Sequence, residues 1–175
     1  MLYFATYWLN KNRYLHKNKF IITVLVLFTS CNSNITGVVL LNDIYTIRVK
    51  KIMQEYTENK YEVFDKFFND DVKSYYSSDI YYTKSELLAA FKSDFYYYSN
   101  IGFSSKEVYT IFNSDRTYTT IFKPIWTAKG NFTNKKHKVF CYYKFIWRFS
   151  KIVSVSVYWD DSSFYEEFAE SKKKF

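Results

Sequence analysis

Chain breakers are scarce: the 175 residues hold one proline and three glycines. The sequence therefore has no Pro- or Gly-rich linker, and it shows no internal repeat. Histidine is nearly as rare. His16 and His137 are the two in the chain, too few for a histidine metal site. No metal, nucleotide or flavin fingerprint appears, so no cofactor is expected. Two cysteines, Cys31 and Cys141, allow one disulfide at most. No apolar run is long enough to cross a bilayer, since the stretch from Phe20 to Ser30 falls well short of the roughly twenty residues a helix needs.

A clustered basic surface is also missing, although the pI is 9.2. Of the 25 Lys and Arg, four precede residue 20 and three form the tail Lys172, Lys173 and Lys174. The rest of the chain is close to balanced against its 17 acids, so no nucleic-acid partner is expected. What is abundant is apolar and aromatic material, 48% and 23% of the residues. Beyond residue 36 there is one domain's length of chain, with ample means to build a core.

The basic stretch of Lys11, Arg13, Lys17 and Lys19 runs into "FIITVLVLF" and then "TSC". Cationic start, short apolar run and small residues make the three-part pattern of an export signal. The translation start is expected nearer Leu15, because the residues before it are a long apolar prelude. A buried strand is the competing reading of "ITVLVLF", which is β-branched and apolar. The junction "LFTSC" resembles the lipobox of bacterial lipoproteins. That resemblance implies cleavage before Cys31, lipid on Cys31, and a membrane anchor in the bacterial cell envelope. Residues 1–30 are then signal, 31–41 a tether, 42–170 the domain and 171–175 a basic tail. No acid lies between Cys31 and Asp43, which favours a periplasm-facing location. Cys141 is then left alone within the apolar "KVFCYYKF", and reads as a small buried hydrophobe rather than a nucleophile.

Tyr45, Val49, Ile52, Met53 and Tyr56 recur at helical spacing, and Tyr61, Phe64, Phe67 and Phe68 repeat it over a shorter segment. In "DDVKSYYSS" Val72 and Tyr76 alternate with Lys73, the period of a strand. Thr83 and Glu86 in "TKSELLAAFKSDF" form a capping box, with Leu87, Leu88, Phe91 and Phe95 giving the helix its apolar face. Four runs near 103–112, 117–129, 137–149 and 152–159, separated by short polar breaks, predict antiparallel hairpins. Phe164, Tyr165 and Phe168 close the pattern. Helices ahead of a meander predict an α+β domain.

This order, with "FDKFFNDDVKSYYSS", "TKSELLAAFKSDF", "IWTAKG" and "FIWRFSKIVSVSVYWDDSS", resembles the nuclear transport factor 2-like superfamily and its SnoaL-like group. The resemblance covers most of residues 42 to 170. It implies a cone: a strongly curved antiparallel sheet, covered by the N-terminal helices, around a pocket. It also implies isomerase, cyclase, dehydratase or purely binding roles, and frequent dimers through the convex face.

Alternation places Tyr118, Thr120, Phe122, Trp126 and Ala128 inside, with Cys141, Tyr143, Phe145, Trp147 and Phe149 on the next strand and Val153, Val155, Val157 and Trp159 on the last. Tyr76 joins them. The expected pocket is Tyr76, Phe91, Phe122, Trp126, Tyr143, Phe145, Trp147, Val157 and Trp159. Catalytic relatives carry a carboxylate at positions that correspond here to Phe145 and Val157, neither of which exchanges a proton. The reading is therefore a lipid-anchored domain that binds a small apolar or aromatic ligand without a catalytic acid or base. The alternative is a cofactor-free isomerase, cyclase or dehydratase using Asp160 or Asp79 with Tyr76 or Tyr143. Asp160 and Asp161 also suit a helix cap, Asp79 a solvated turn, and His137, among lysines, an exposed hairpin. The outer set Tyr142, Lys144, Ile146, Arg148 and Tyr158 suits a homodimer interface.

Overall fold

The structure, a computed structural model, describes residues 37–76 and 80–174. The N-terminal signal, Cys31 and Asp79 lie outside the described residues. Strand β1 (Val38–Leu40) is followed by helices α1 (Ile44–Thr57) and α2 (Glu62–Phe67), strands β2 (Phe68–Tyr76) and β3 (Tyr81–Tyr82), and helix α3 (Lys84–Tyr97). The long strands β4 (Tyr98–Phe112), β5 (Tyr118–Gly130), β6 (Lys136–Arg148) and β7 (Lys151–Trp159) come next, then helix α4 (Ser162–Ser171) and a 3₁₀ turn. The strands form one open sheet in the order β1-β4-β5-β6-β7-β2-β3.

Local chemistry sets the helix starts. Asp43 accepts hydrogen bonds from the amides of Tyr45 and Thr46, at 2.7 and 3.3 Å, and caps α1. The Thr83–Glu86 box is formed in both directions and starts α3. Phe68, assigned to the second helix by its spacing, instead opens β2, so α2 is a single short turn-and-a-half.

The meander β4-β5-β6-β7 is antiparallel throughout, as the polar breaks indicate. β2 departs from the antiparallel expectation: it lies parallel to β7, pairing Tyr76 with Val157. β1 is a further difference, since Val38–Leu40 pairs with Thr110–Phe112 and the sheet reaches back into the segment expected as tether. One extra residue in β4 between Ser99 and Gly102, and another between Ser104 and Glu107, are bulges of the kind that bend a strand. They curve the sheet around its apolar face. The helices cover that face, α1 against β4 and β5, α2 against β2 and β7, and α3 against β2 and β4.

The inner alternation holds along β5 and most of β6, where Phe122, Trp126, Cys141, Tyr143, Phe145 and Trp147 are buried. It breaks at the β6–β7 hairpin. Phe149 is 94% exposed, because it and Ser150 form the two-residue loop, both with positive φ, 47° and 66°. In β7 a register shift puts Ile152 opposite Trp147, and Ile152 rather than Val153 enters the core. Two positive φ values are what a tight hairpin turn requires, and the usual solution is Asn-Gly. Phe149 and Ser150 meet that geometry with side chains that disfavour it. Replacing the pair, Phe149→Asn with Ser150→Gly, is expected to stabilise the domain by about 1–2 kcal/mol; chemical denaturation of the double variant checks this.

Candidate active site

Above a filled apex the cone contains a cavity of about 440 Å³. Its walls come from six elements: Tyr56 from the last turn of α1, Tyr76 from the end of β2, one face of α3, Trp126 from β5, Tyr143 from β6, and Val157 and Trp159 from β7. Phe164 and Tyr165 of α4 and Tyr82 of β3 complete the mouth. Ala89 and Ala90 leave space where larger helix residues would close it.

Six of the nine expected pocket residues therefore line the cavity: Tyr76, Phe91, Trp126, Tyr143, Val157 and Trp159. Phe122, Phe145 and Trp147 do not. They face inward as alternation requires, but the apex is packed solid around them. Trp147 lies 5.1 Å from the ring of Tyr45 and donates its indole N–H to Thr120 Oγ1 at 3.0 Å. Phe122 meets Phe103 at 5.7 Å, and Phe145 stacks on Tyr143 at 6.1 Å. Cys141 is a free, buried thiol, pushed up to about 11 by that burial, so it is no nucleophile.

The residue that changes the chemistry is Asp94. It sits on α3 among the lining residues, half-buried, and its Oδ2 accepts a hydrogen bond from the Tyr56 hydroxyl at 2.8 Å. Among the described residues, no Lys, Arg or His lines the cavity. Removal from water raises the Asp94 carboxyl from 3.8 to about 7, against the smaller lowering effect of the Tyr56 bond. Burial, and then the Asp94 charge, hold the Tyr56 and Tyr76 hydroxyls above their ordinary value, and burial does the same for Tyr143. The site thus presents one carboxyl poised near neutrality among phenols that stay protonated. The Tyr76 hydroxyl is enclosed and has no hydrogen-bond partner among the described residues.

This corrects the expectation of a pocket without acid or base. Phe145 and Val157 are apolar, as read from the sequence, but the carboxylate arrives from a helix instead of a strand. The signal was present in "SELLAAFKSDF": Asp94 falls three residues after Phe91 and seven after Leu87, on the apolar stripe. Of the acids singled out from the sequence, Asp160 is exposed and accepts the Ser162 amide at 3.0 Å, a bond that lowers its carboxyl. That bond closes a turn ahead of α4, whose N-cap is Asp161 with no side-chain capping bond. Asp161 stands at the cavity rim.

His137 also departs from expectation. Its side chain is 7% exposed and its Nε2 lies 3.3 Å from Glu167 Oε1. Glu167, on α4, is fully buried. It accepts the amides of Phe132 and Thr133 and the Thr133 hydroxyl, fixing α4 to the β5–β6 turn. Gly130 is required there, because a Cβ would overlap the Glu167 carboxylate. The latch places Phe164 and Tyr165 over the cavity.

No family model and no curated protein matches the chain. Solved structures match its fold. A candidate isomerase from Bacillus subtilis superposes with a TM-score of 0.55 at 15% identity, covering 71% of this chain and 91% of its own. A nuclear transport factor 2-like protein from Burkholderia xenovorans gives 0.55 at 12%, covering 69% and 92%. The fold is the nuclear transport factor 2-like cone. A candidate SnoaL-like polyketide cyclase from Shewanella denitrificans shares it, with a TM-score of 0.53 at 13% identity over 73% and 98% of the two chains. Within this cone fold the cavity is the concave chamber between sheet and helices, and Asp94 projects into it from the covering layer.

Proposed function

We propose that the chain binds a small, largely apolar molecule in the cone and moves a proton on it with Asp94, the chemistry of a cofactor-free isomerase, cyclase or dehydratase. The observation that carries this is the 2.8 Å contact between Asp94 and Tyr56 inside a roomy aromatic cavity. A base works best when its pKa lies near the working pH, and burial brings Asp94 there. Tyr56 orients the carboxyl and stabilises its ionised form. Tyr76, with its unpartnered hydroxyl, is the candidate donor to an oxygen of the substrate. Asp94 would accept a proton from carbon or oxygen and return it at another position of the same molecule.

Deuterium exchange into a panel of cyclic ketones and enones, followed by NMR, tests this. Exchange above the buffer rate is expected, rising with pH through an inflection near the Asp94 value of about 7. Compounds that bind but show no enzyme-dependent exchange at any pH would remove the catalytic reading and leave a binding domain.

Two finer features are proposed on other grounds. The lipobox-like junction supports an envelope location with Cys31 as a lipid anchor; Cys31→Ser is then expected to move the protein from membrane to soluble fraction without changing the fold. The convex face supports a homodimer. It carries the Tyr142–Tyr158 ring pair at 5.9 Å and exposes Phe140 and Tyr158 at 75% and 51%. Sedimentation of the soluble domain checks it.

A further inference from the structure

The cavity is acidic within a domain whose charges otherwise nearly balance. Among the described residues its lining holds three acids, Glu86, Asp94 and Asp161, and no basic residue. Asp94 lies within the chamber, while Glu86 and Asp161 are exposed at its mouth. The remaining wall is mostly aromatic, including Trp126, Trp159, Tyr76 and Tyr143. Aromatic faces carry negative potential and attract a cation, most strongly where water is excluded. A carboxylate within low-dielectric walls focuses the same sign of field. A neutral apolar ligand would use the rings but leave the ionised Asp94 without a counter-charge. An anion would meet repulsion at the rim and again inside. A cation with an apolar body uses all of it.

We propose that the ligand of this cavity is an organic ammonium compound, a tertiary or quaternary amine on a hydrophobic or aromatic body, whose charge pairs with Asp94 between the tryptophan and tyrosine rings. The inference rests on the reading of this cavity as the binding site and adds the class of molecule that fills it. Tyr56 from α1, Tyr61 beside α2, Tyr76 from β2, Tyr98 from β4 and Cys141 and Tyr143 from β6 feel the Asp94 charge. Burial, their leading perturbation, raises every one of them, so none ionises near neutral pH. At the rim, Glu86 is lowered by its hydrogen bonds to Thr83 and stays charged. Among these groups Asp94 alone changes charge around pH 7, and cation affinity should follow its ionisation.

The probes are phenyltrimethylammonium and its uncharged isostere tert-butylbenzene, titrated by tryptophan fluorescence against the full chain and against Asp94→Asn. At pH 8 the cation is expected to bind ~tenfold tighter than the isostere, the scale of a desolvated cation–π and carboxylate contact. The preference should shrink as pH falls from 8 to 6, and drop several-fold in Asp94→Asn while the isostere still binds, leaving the smaller share that the rings and rim supply. Glu86→Gln, at the exposed mouth, should lower it only slightly, which separates the inner charge from general surface attraction. Equal binding of the two probes by the unmodified protein, or tighter binding of the isostere, overturns the ammonium inference and leaves the cavity reading intact. Binding of neither probe overturns both. A cation preference undiminished in Asp94→Asn also overturns it, because the selectivity would then owe nothing to the inner carboxylate.

Discussion

Asn in place of Asp94 is expected to abolish proton transfer and, at pH 8, to make the domain more stable. The two effects share one cause. A carboxyl raised to about 7 by burial is held in the folded state at the expense of its charged form. The folded chain therefore binds a proton that the unfolded chain has already lost between about pH 4 and 7, and stability falls as pH rises through that window. A shift from 3.8 to about 7 corresponds to about 2–4 kcal/mol at pH 8. Asparagine keeps the shape and can still accept the Tyr56 hydroxyl, so it should recover most of this at pH 8 and little at pH 4. Loss of a positioned base costs about a hundred- to ten-thousand-fold in rate. Denaturation at the two pH values, alongside the exchange assay, reads both. If Asp94→Asn is less stable at pH 8, the carboxylate is a structural group and the catalytic reading fails. Tyr56→Phe should act differently: it removes the bond that lowers the Asp94 carboxyl and should move the pH inflection upward.

Glu167→Ala is expected to be the most destabilising single substitution away from the apolar core. The carboxylate is fully buried and accepts from two backbone amides, a hydroxyl and His137. Its removal strands those donors out of water, a loss of about 3–5 kcal/mol. The damage should localise. α4 would detach from the β5–β6 turn, taking Phe164 and Tyr165 off the cavity, so ligand affinity should fall even in the folded fraction. Hydrogen exchange should show it first in α4 and at Phe132 and Thr133. Burial alone would raise the Glu167 carboxyl, but bonds from Thr133, Phe132 and His137 together hold it below its ordinary value. A carboxyl lowered by folding contributes stability above its unfolded value of about 4.3, lost as pH falls through the lower folded value. The α4 latch should therefore release in acid, opposite in sign to the effect of Asp94. If Glu167→Ala unfolds at the same denaturant concentration as the unmodified protein, the latch is not a stability determinant.

The two carboxylates show where sequence reasoning reaches and where it stops. Asp94 is legible as an acid on an apolar helical stripe, but the same stripe with its capping box and leucines specifies a helix whether or not the acid meets a cavity. Glu167 and His137 gave no such sign: each sits among charged neighbours, in "YEEF" and "KKHKV", and their burial exists only because α4 folds back onto a hairpin thirty residues earlier in the chain. Phe122, Phe145 and Trp147 could not be separated from Trp126, Tyr143 and Trp159 by alternation. All six face inward, and which of them meet helix and which meet open space depends on how far α1 and α2 reach down the cone.

What the sequence determined by itself is local. Helical spacing, the Thr83–Glu86 box and the two-residue period of the long strands specify their elements through interactions within a few residues, and four such elements in series specify an antiparallel meander. The tertiary structure alone decided the parallel pairing of β2 with β7, the addition of β1 at the sheet edge, the bulges that curve the sheet, and the pairing of Asp94 with Tyr56 across 38 residues. These depend on packing between distant segments. Burial, and with it the ionisation of Asp94 and Glu167, is a property of that packing rather than of any stretch of chain.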